Sequence, residues 1–144
     1  VHRIIRRMQP DDTARALARG LGWFSIALGL AELIAPRRLT RTLGMEDHAG
    51  LAQLYGLREL AAGIGLLLAR DPLPWVWGRV AGDALDLASL APALHRDNPE
   101  RHNAGLALGA VAAVTLLDIC CARQLAGGHR PAAVRRRLRS AAQL

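Results

Sequence analysis

The sequence predicts an all-α protein, a four-transmembrane-helix antiparallel bundle forming a single integral membrane domain over residues 1–144. Three observations predict it. Four apolar stretches, about 17–35, 50–69, 75–94 and 104–122, each have the length a hydrocarbon core of roughly 30 Å demands. Arginine is distributed unevenly between the segments that join them. The three tryptophans, Trp23, Trp75 and Trp77, fall near the ends of spans that share one side, where an aromatic belt belongs.

The charge asymmetry fixes the orientation. All 19 basic residues are arginine, which reads as the codon bias of a GC-rich bacterial genome. Five lie before or at the very start of the first span (Arg3, Arg6, Arg7, Arg15, Arg19), six follow the last (Arg123, Arg130, Arg135, Arg136, Arg137, Arg139), and Arg70 lies between spans two and three. These twelve share one side; the opposite side has Arg37, Arg38, Arg41, Arg96 and Arg101. Cytoplasmic loops carry the arginine excess, so both termini are expected in the cytoplasm of a bacterial inner membrane. A net charge of +7 invites a nucleic-acid reading, but the arginines lie where a membrane surface explains them, and no nucleic-acid partner is expected.

Taken in order, the first residues form a basic arm, with Asp11 or Asp12 as the N-cap of the first helix. The first apolar run is too long for a cleavable signal peptide, and no small-residue cleavage site follows it. Pro36 stops span one. The polar segment 37–48 has room for a short interfacial helix with Leu39, Leu43 and Met45 on its apolar side. Asp71-Pro72-Leu73-Pro74 is too short for anything but antiparallel neighbours. Residues 95–103 form the third connection, turning at Asn98-Pro99, and Gly127-Gly128 ends the last helix within the basic cytoplasmic tail of 123–144. Gly78-xxx-Gly82 and Gly105-xxx-Gly109 are small-xxx-small pairs suited to close helix approach, within the bundle or in a homo-oligomer. A soluble bundle would show a polar face at a period near 3.6, whereas span one has only Ser25 and Glu32, and span four only Thr115 and Asp118, as polar breaks.

The chemistry lies in the charges within the spans. Glu32, Glu59, Asp83, Asp86 and Asp118 are accompanied by only Arg58 and Arg79. An ionisable residue at the centre of a membrane helix costs roughly 2.5–3.5 kcal/mol on insertion scales, so each needs a partner or a purpose. Depth along antiparallel helices suggests two ion pairs, Glu32 with Arg58 near the outer surface and Arg79 with Asp118 near the cytoplasmic one. Glu59, Asp83 and Asp86 then remain near the midplane as a ligand or ion cluster. Arg79, Asp83 and Asp86 share one helix face at i, i+4 and i+7. Acids outnumber arginines, so water, a cation or a proton must balance the remainder. Purely structural stapling of helices is the competing reading.

Other chemistry is poorly supported. His95, Asp97, Glu100 and His102 do not follow a compact zinc spacing, so no metal is expected. None of the five histidines lies in a span, and there is no nucleophile elbow or phosphate-cradling loop, so no catalytic residue and no cofactor is expected. Cys120 and Cys121 are adjacent on the reducing side and imply no disulfide.

The runs Leu21-Gly22-Trp23-Phe24-Ser25-Ile26-Ala27-Leu28-Gly29-Leu30-Ala31-Glu32-Leu33, Tyr55-Gly56-Leu57-Arg58-Glu59-Leu60-Ala61-Ala62-Gly63 and Arg79-Val80-Ala81-Gly82-Asp83-Ala84-Leu85-Asp86-Leu87 resemble the four-helix membrane region of bacterial proteins labelled cyclase/dehydrase. In those proteins a START-like lipid-binding domain often follows. The resemblance spans about 17–122 and implies a membrane module whose polar signature is Glu32, Arg58, Glu59, Arg79, Asp83, Asp86 and Asp118. It implies no reaction, because the label derives from the soluble START-like domain, which would be expected to begin about where this sequence ends.

The expected function is a non-enzymatic membrane module that binds a partner protein or an isoprenoid-like lipid through its acidic cluster. Membrane lipids, a separate START-like protein and a membrane oxidoreductase are the partner classes this implies. The alternative is a small proton- or cation-coupled transporter using Glu59, Asp83 and Asp86.

Overall fold

A computed structural model describes residues 10–128. The basic arm before them and most of the arginine tail after them, from residue 129 on, lie outside the described residues. The described chain is helical: α1 (Pro10–Ile34), α2 (Pro36–Thr42), α3 (Ala49–Leu68), α4 (Leu73–Leu90) and α5 (Arg101–Gly128), with 3-10 turns at Glu46–His48 and Ala91–Leu94. Asp11 and Asp12 lie inside α1, so the expected N-cap is not there. Pro36 ends α1 by opening α2 at a position that needs no amide donor. The polar segment after span one thus supplies a two-turn helix and a 3-10 turn. Asp71 closes the α3–α4 connection by accepting a hydrogen bond from the Leu73 amide at 3.1 Å.

Three helical stretches, Asp12–Ile34, Glu46–Leu68 and Arg101–Gly127, are long and apolar enough to cross a membrane. α4 is not apolar enough by composition, since its 18 residues include Arg79, Asp83 and Asp86. Where four spans are expected from sequence, composition therefore supports three.

α1 packs along α3 and also against α5, α4 packs along α5, and α3 meets α4 more lightly. The closest approach is between α1 and α3. A Cβ on Gly29 would lie 2.6 Å from the Gly56 carbonyl oxygen, and one on Gly63 would lie 2.7 Å from that of Gly22. These four glycines let two backbones meet in antiparallel register. The pairs expected from sequence do not play this part. Gly78 and Gly109 face open space, and Gly105 meets only Leu94 at 3.7 Å.

The interior has three layers along the bundle axis. At one end Ala14, Ala18, Leu21, Leu66, Val76, Cys121, Ala122 and Leu125 form an apolar core. In the middle Ser25, Glu59, Arg79, Asp83 and Asp118 are buried. At the other end, below α2, a cavity of about 170 Å³ opens among Leu28, Leu39, Leu43, Leu51, Leu90 and Val111. Large apolar side chains point outward instead: Leu116 is 64% exposed, Trp23 65% and Leu54 61%. Trp75 and Trp77 are exposed as well.

Candidate functional site

Each charged side chain of the middle layer is placed by helix register. On α4, Val76, Arg79, Gly82 and Asp83 recur at helical spacing and form its buried face. On α3, Glu59 lies on the same face as Gly56, Ala62 and Gly63, which turns it toward α1 and α4. Ser25 comes from α1 and Asp118 from α5, and both are fully buried.

Arg79 is the hub, with 1% of its side chain accessible. Its Nη1 donates to Glu59 Oε2 at 2.6 Å and also to the Ser25 hydroxyl. Its Nε and Nη2 reach the Asp118 carboxylate at 3.2 and 3.1 Å. The Ser25 hydroxyl donates to Glu59 Oε2 at 2.5 Å. One guanidinium therefore joins four helices: its own α4, α3 through Glu59, α5 through Asp118 and α1 through Ser25. The expected Arg79–Asp118 pair is present, and Glu59 completes it.

Arg58 forms the second node. Its Nη1 and Nη2 grip Asp86 bidentately at 3.1 and 2.8 Å, and Nη2 reaches Glu59 Oε1 at 2.7 Å. Nη1 also donates to the Gly82 carbonyl at 3.0 Å. The Tyr55 ring lies 5.1 Å from the guanidinium, within reach of a cation–π interaction. The expected Glu32–Arg58 pair does not form. Arg58 turns toward α4 because Gly82 leaves room for it; a Cβ there would sit 2.7 Å from Arg58 Cζ. Glu59, with one oxygen on each arginine, fuses the two nodes into one network rather than one pair per leaflet.

Glu59, Asp83 and Asp86 do come together, each presenting an oxygen within 4.8 Å of the others. Two of the three are taken up by arginine. Asp83 is held differently, with its Oδ2 3.0 Å from the Thr115 hydroxyl, which shares its hydrogen with the Val111 carbonyl at 2.8 Å. Four carboxylates of the cluster thus have protein partners: Glu59, Asp86 and Asp118 through arginine, and Asp83 through threonine. Glu32 is the exception. Its Oε2 is the one buried side-chain oxygen or nitrogen among the described residues with no hydrogen-bond partner.

Glu32 and Asp86 both line the apolar cavity, together with Tyr55 and Ser89. Tyr55 and Ser89 hydroxyls are 2.5 Å apart, and Ser89 donates onward to the Leu85 carbonyl at 2.8 Å. The tyrosine is therefore the donor between them. α2 forms the roof, held by Asn98, whose Nδ2 donates to the Leu43 carbonyl at 2.9 Å and to the Ala93 carbonyl at 2.6 Å. Gly44, at φ +67°, takes the left-handed turn that lets the chain pass the Asn98 side chain.

Sequence reasoning named every charged member of the network but gave its neutral members no role. Ser25 and Thr115 were visible as polar breaks in spans one and four, Ser25 at i−7 from Glu32 on the same helix face; Tyr55 and Ser89 carried no comparable signal. Among the loop residues, His95 approaches Asp97 at 3.2 Å and Glu100 accepts from Asn103 at 2.6 Å, both at the surface. No family model, curated protein or solved structure matches the chain.

Proposed function

We propose that the chain is a four-span, non-enzymatic membrane module that holds a lipid-soluble ligand in the cavity beside Glu32 and Asp86. The observation that carries this reading is its inverted polarity. Arg79, Glu59 and Asp118 are fully buried while Leu54, Leu57, Leu85 and Leu116 stand exposed. A hydrated surface of that kind favours aggregation, whereas hydrocarbon accepts it and drives the charges inward.

The same polarity supports α4 as the fourth span. Its Arg79 and Asp83 are buried and Asp86 is paired, while Trp75, Trp77 and Leu85 face outward. At about 1.5 Å per residue, α4 and the 3-10 turn that extends it approach the thickness of a hydrocarbon core. With four spans and the arginine asymmetry, both termini lie on the cytoplasmic face of a bacterial inner membrane. The layering supports a binding module over a catalyst, because Arg58 and Arg79, the two arginines of the buried network, are both spent on stapling helices. An isoprenoid-like or aromatic body suits the leucine-lined cavity. A START-like protein or membrane oxidoreductase is the partner class suggested by the cyclase/dehydrase-like segments.

A proton- or cation-coupled transporter is the second reading, favoured by the convergence of Glu59, Asp83 and Asp86. Arg58 and Arg79 argue against it by already neutralising Glu59 and Asp86.

Topology reporters fused in turn to the N- and C-termini test the four-span reading. Both reporters on the cytoplasmic side support it; termini on opposite sides reduce the bundle to three spans and refute it. Reconstitution into liposomes separates binding from transport, since pH- or cation-driven flux by the chain alone would favour the transporter.

A further inference from the structure

We infer that the cavity takes a small organic cation: an apolar body about the size of an aromatic ring, carrying an ammonium head that pairs with Glu32. This rests on the ligand-binding reading above and narrows it to a chemical class. Volume sets the body. A cavity of about 170 Å³ is close to the engineered apolar cavities of roughly 150 Å³ that accept benzene. Leu28, Leu39, Leu43, Leu51, Leu90 and Val111 supply the apolar wall.

Charge sets the head. The wall contains two carboxylates, Glu32 and Asp86, and one imidazole, His48. Asp86 is gripped by Arg58, but Glu32 Oε2 is buried with no partner. Arg58, the nearest guanidinium, divides its donors among Asp86, Glu59 and the Gly82 carbonyl. The hydroxyls in the wall are committed too. Thr40 donates to the Pro36 carbonyl at 3.0 Å, and Tyr55 donates to Ser89. The cavity therefore offers a ligand an unsatisfied carboxyl oxygen, which carries negative charge once ionised. A phosphate head would meet two carboxylates, and a quinone would find the hydroxyl donors of the wall in use, with the His48 ring as the one other side-chain donor there. A protonated amine supplies both the missing donor and the missing positive charge, and such charge-assisted bonds are about twice as strong as neutral ones.

The test is calorimetric titration of the full chain in nanodiscs with two probes of matching shape, benzylammonium and benzyl alcohol. The expected result is saturable binding of one benzylammonium per chain, at least about tenfold tighter than benzyl alcohol. Glu32→Gln should abolish that preference while changing benzyl alcohol affinity no more than about twofold. Ala107→Phe, which fills the cavity from α5, should weaken both probes. Benzyl alcohol binding as tightly as benzylammonium to the native chain would overturn the cationic assignment while leaving an apolar ligand site intact. Failure of both probes to saturate would overturn the cavity reading as well. The comparison on the native chain stands even if Glu32→Gln does not fold, and Glu32→Asp then provides the charge-conserving control.

Discussion

Arg79→Met removes the guanidinium that joins all four long helices, and its cost can be worked from the geometry. Arg79 and Glu59 side chains are each 1% accessible and Asp118 is 0%, so water screens none of the three charges. Substitution leaves Glu59 with only Ser25 and Arg58, and leaves Asp118 without its guanidinium. Removing one partner of a buried ion pair typically costs 3–5 kcal/mol, because the remaining charge stays buried uncompensated. Neutral side-chain hydrogen bonds between membrane helices average only about 0.6 kcal/mol, so the size of the loss separates ionic from merely polar stapling. We expect Arg79→Met to destabilise the bundle by about 4 kcal/mol.

Two companion variants sharpen the test. Arg79→Lys keeps the charge but cannot serve Glu59 and Asp118 together with a planar fork, so it should fall between native and Arg79→Met. Glu59→Gln/Arg79→Met/Asp118→Asn removes the orphaned charges along with their partner and should regain more than half of the loss. Reversible unfolding in mixed micelles by titration with sodium dodecyl sulfate, followed by tryptophan fluorescence, measures all three. A loss below about 1 kcal/mol for Arg79→Met, or a triple variant less stable than the single one, would refute the hub assignment.

Three further outcomes are expected. Gly29→Ala should cost about 1–3 kcal/mol by the same unfolding assay, because its Cβ would press on the Gly56 carbonyl at 2.6 Å, while Gly109→Ala, with nothing within 4 Å, should be neutral or slightly stabilising. Asn98→Ala should cost about 1–3 kcal/mol by leaving the Leu43 and Ala93 carbonyls without their shared donor, and should weaken cavity ligands by loosening α2. Leu116→Lys, at a site 64% exposed on α5, should raise the apparent insertion free energy by about 3 kcal/mol in a translocon assay, whereas a water-facing position would tolerate it.

The helices were legible because they are long and largely apolar, and the acids because nothing else in an apolar run looks like them. Pairing was legible only within one helix. Arg79, Asp83 and Asp86 share a face by spacing alone, but which acid Arg58 reaches depends on how α3 is rotated against α4. Depth along the axis favoured Glu32; the gap left by Gly82 decided for Asp86. The glycines teach the same lesson. Gly22 and Gly29 on α1 have the seven-residue spacing of Gly56 and Gly63 on α3, a matched pattern across two helices that a search for four-residue spacing overlooks. The cavity had a partial signal in Leu39, Leu43 and Met45, which share the apolar side of the α2 segment, but its floor depends on side chains from four other helices.

The layering explains why one acid stands apart. From the apolar core toward α2, the interior passes through Arg79 with its three partners and then Arg58 with Asp86, so each step toward the cavity has fewer donors to offer. Had the acids served only to staple helices, the last of them would be expected to find a staple. Glu32 lies on α1 one turn beyond Leu28, where the wall residues of α2 and α3 are Leu39, Thr40, Leu51, Ala52 and Tyr55, with no arginine among them. A carboxylate kept against leucines with an unsatisfied oxygen is costly while it is ionised, and that cost is relieved by a proton or by a ligand that supplies both the charge and the donor. That cost is compatible with a stable bundle because the two arginine nodes lie deeper and hold the helices whether or not the cavity is filled. Removing Arg79 should therefore destabilise the fold and removing Glu32 should not, while ligand affinity should depend on Glu32 directly. Such a separation between the residues that hold the bundle and the one residue left without a partner would distinguish the proposed binding module from a core that is only ionic.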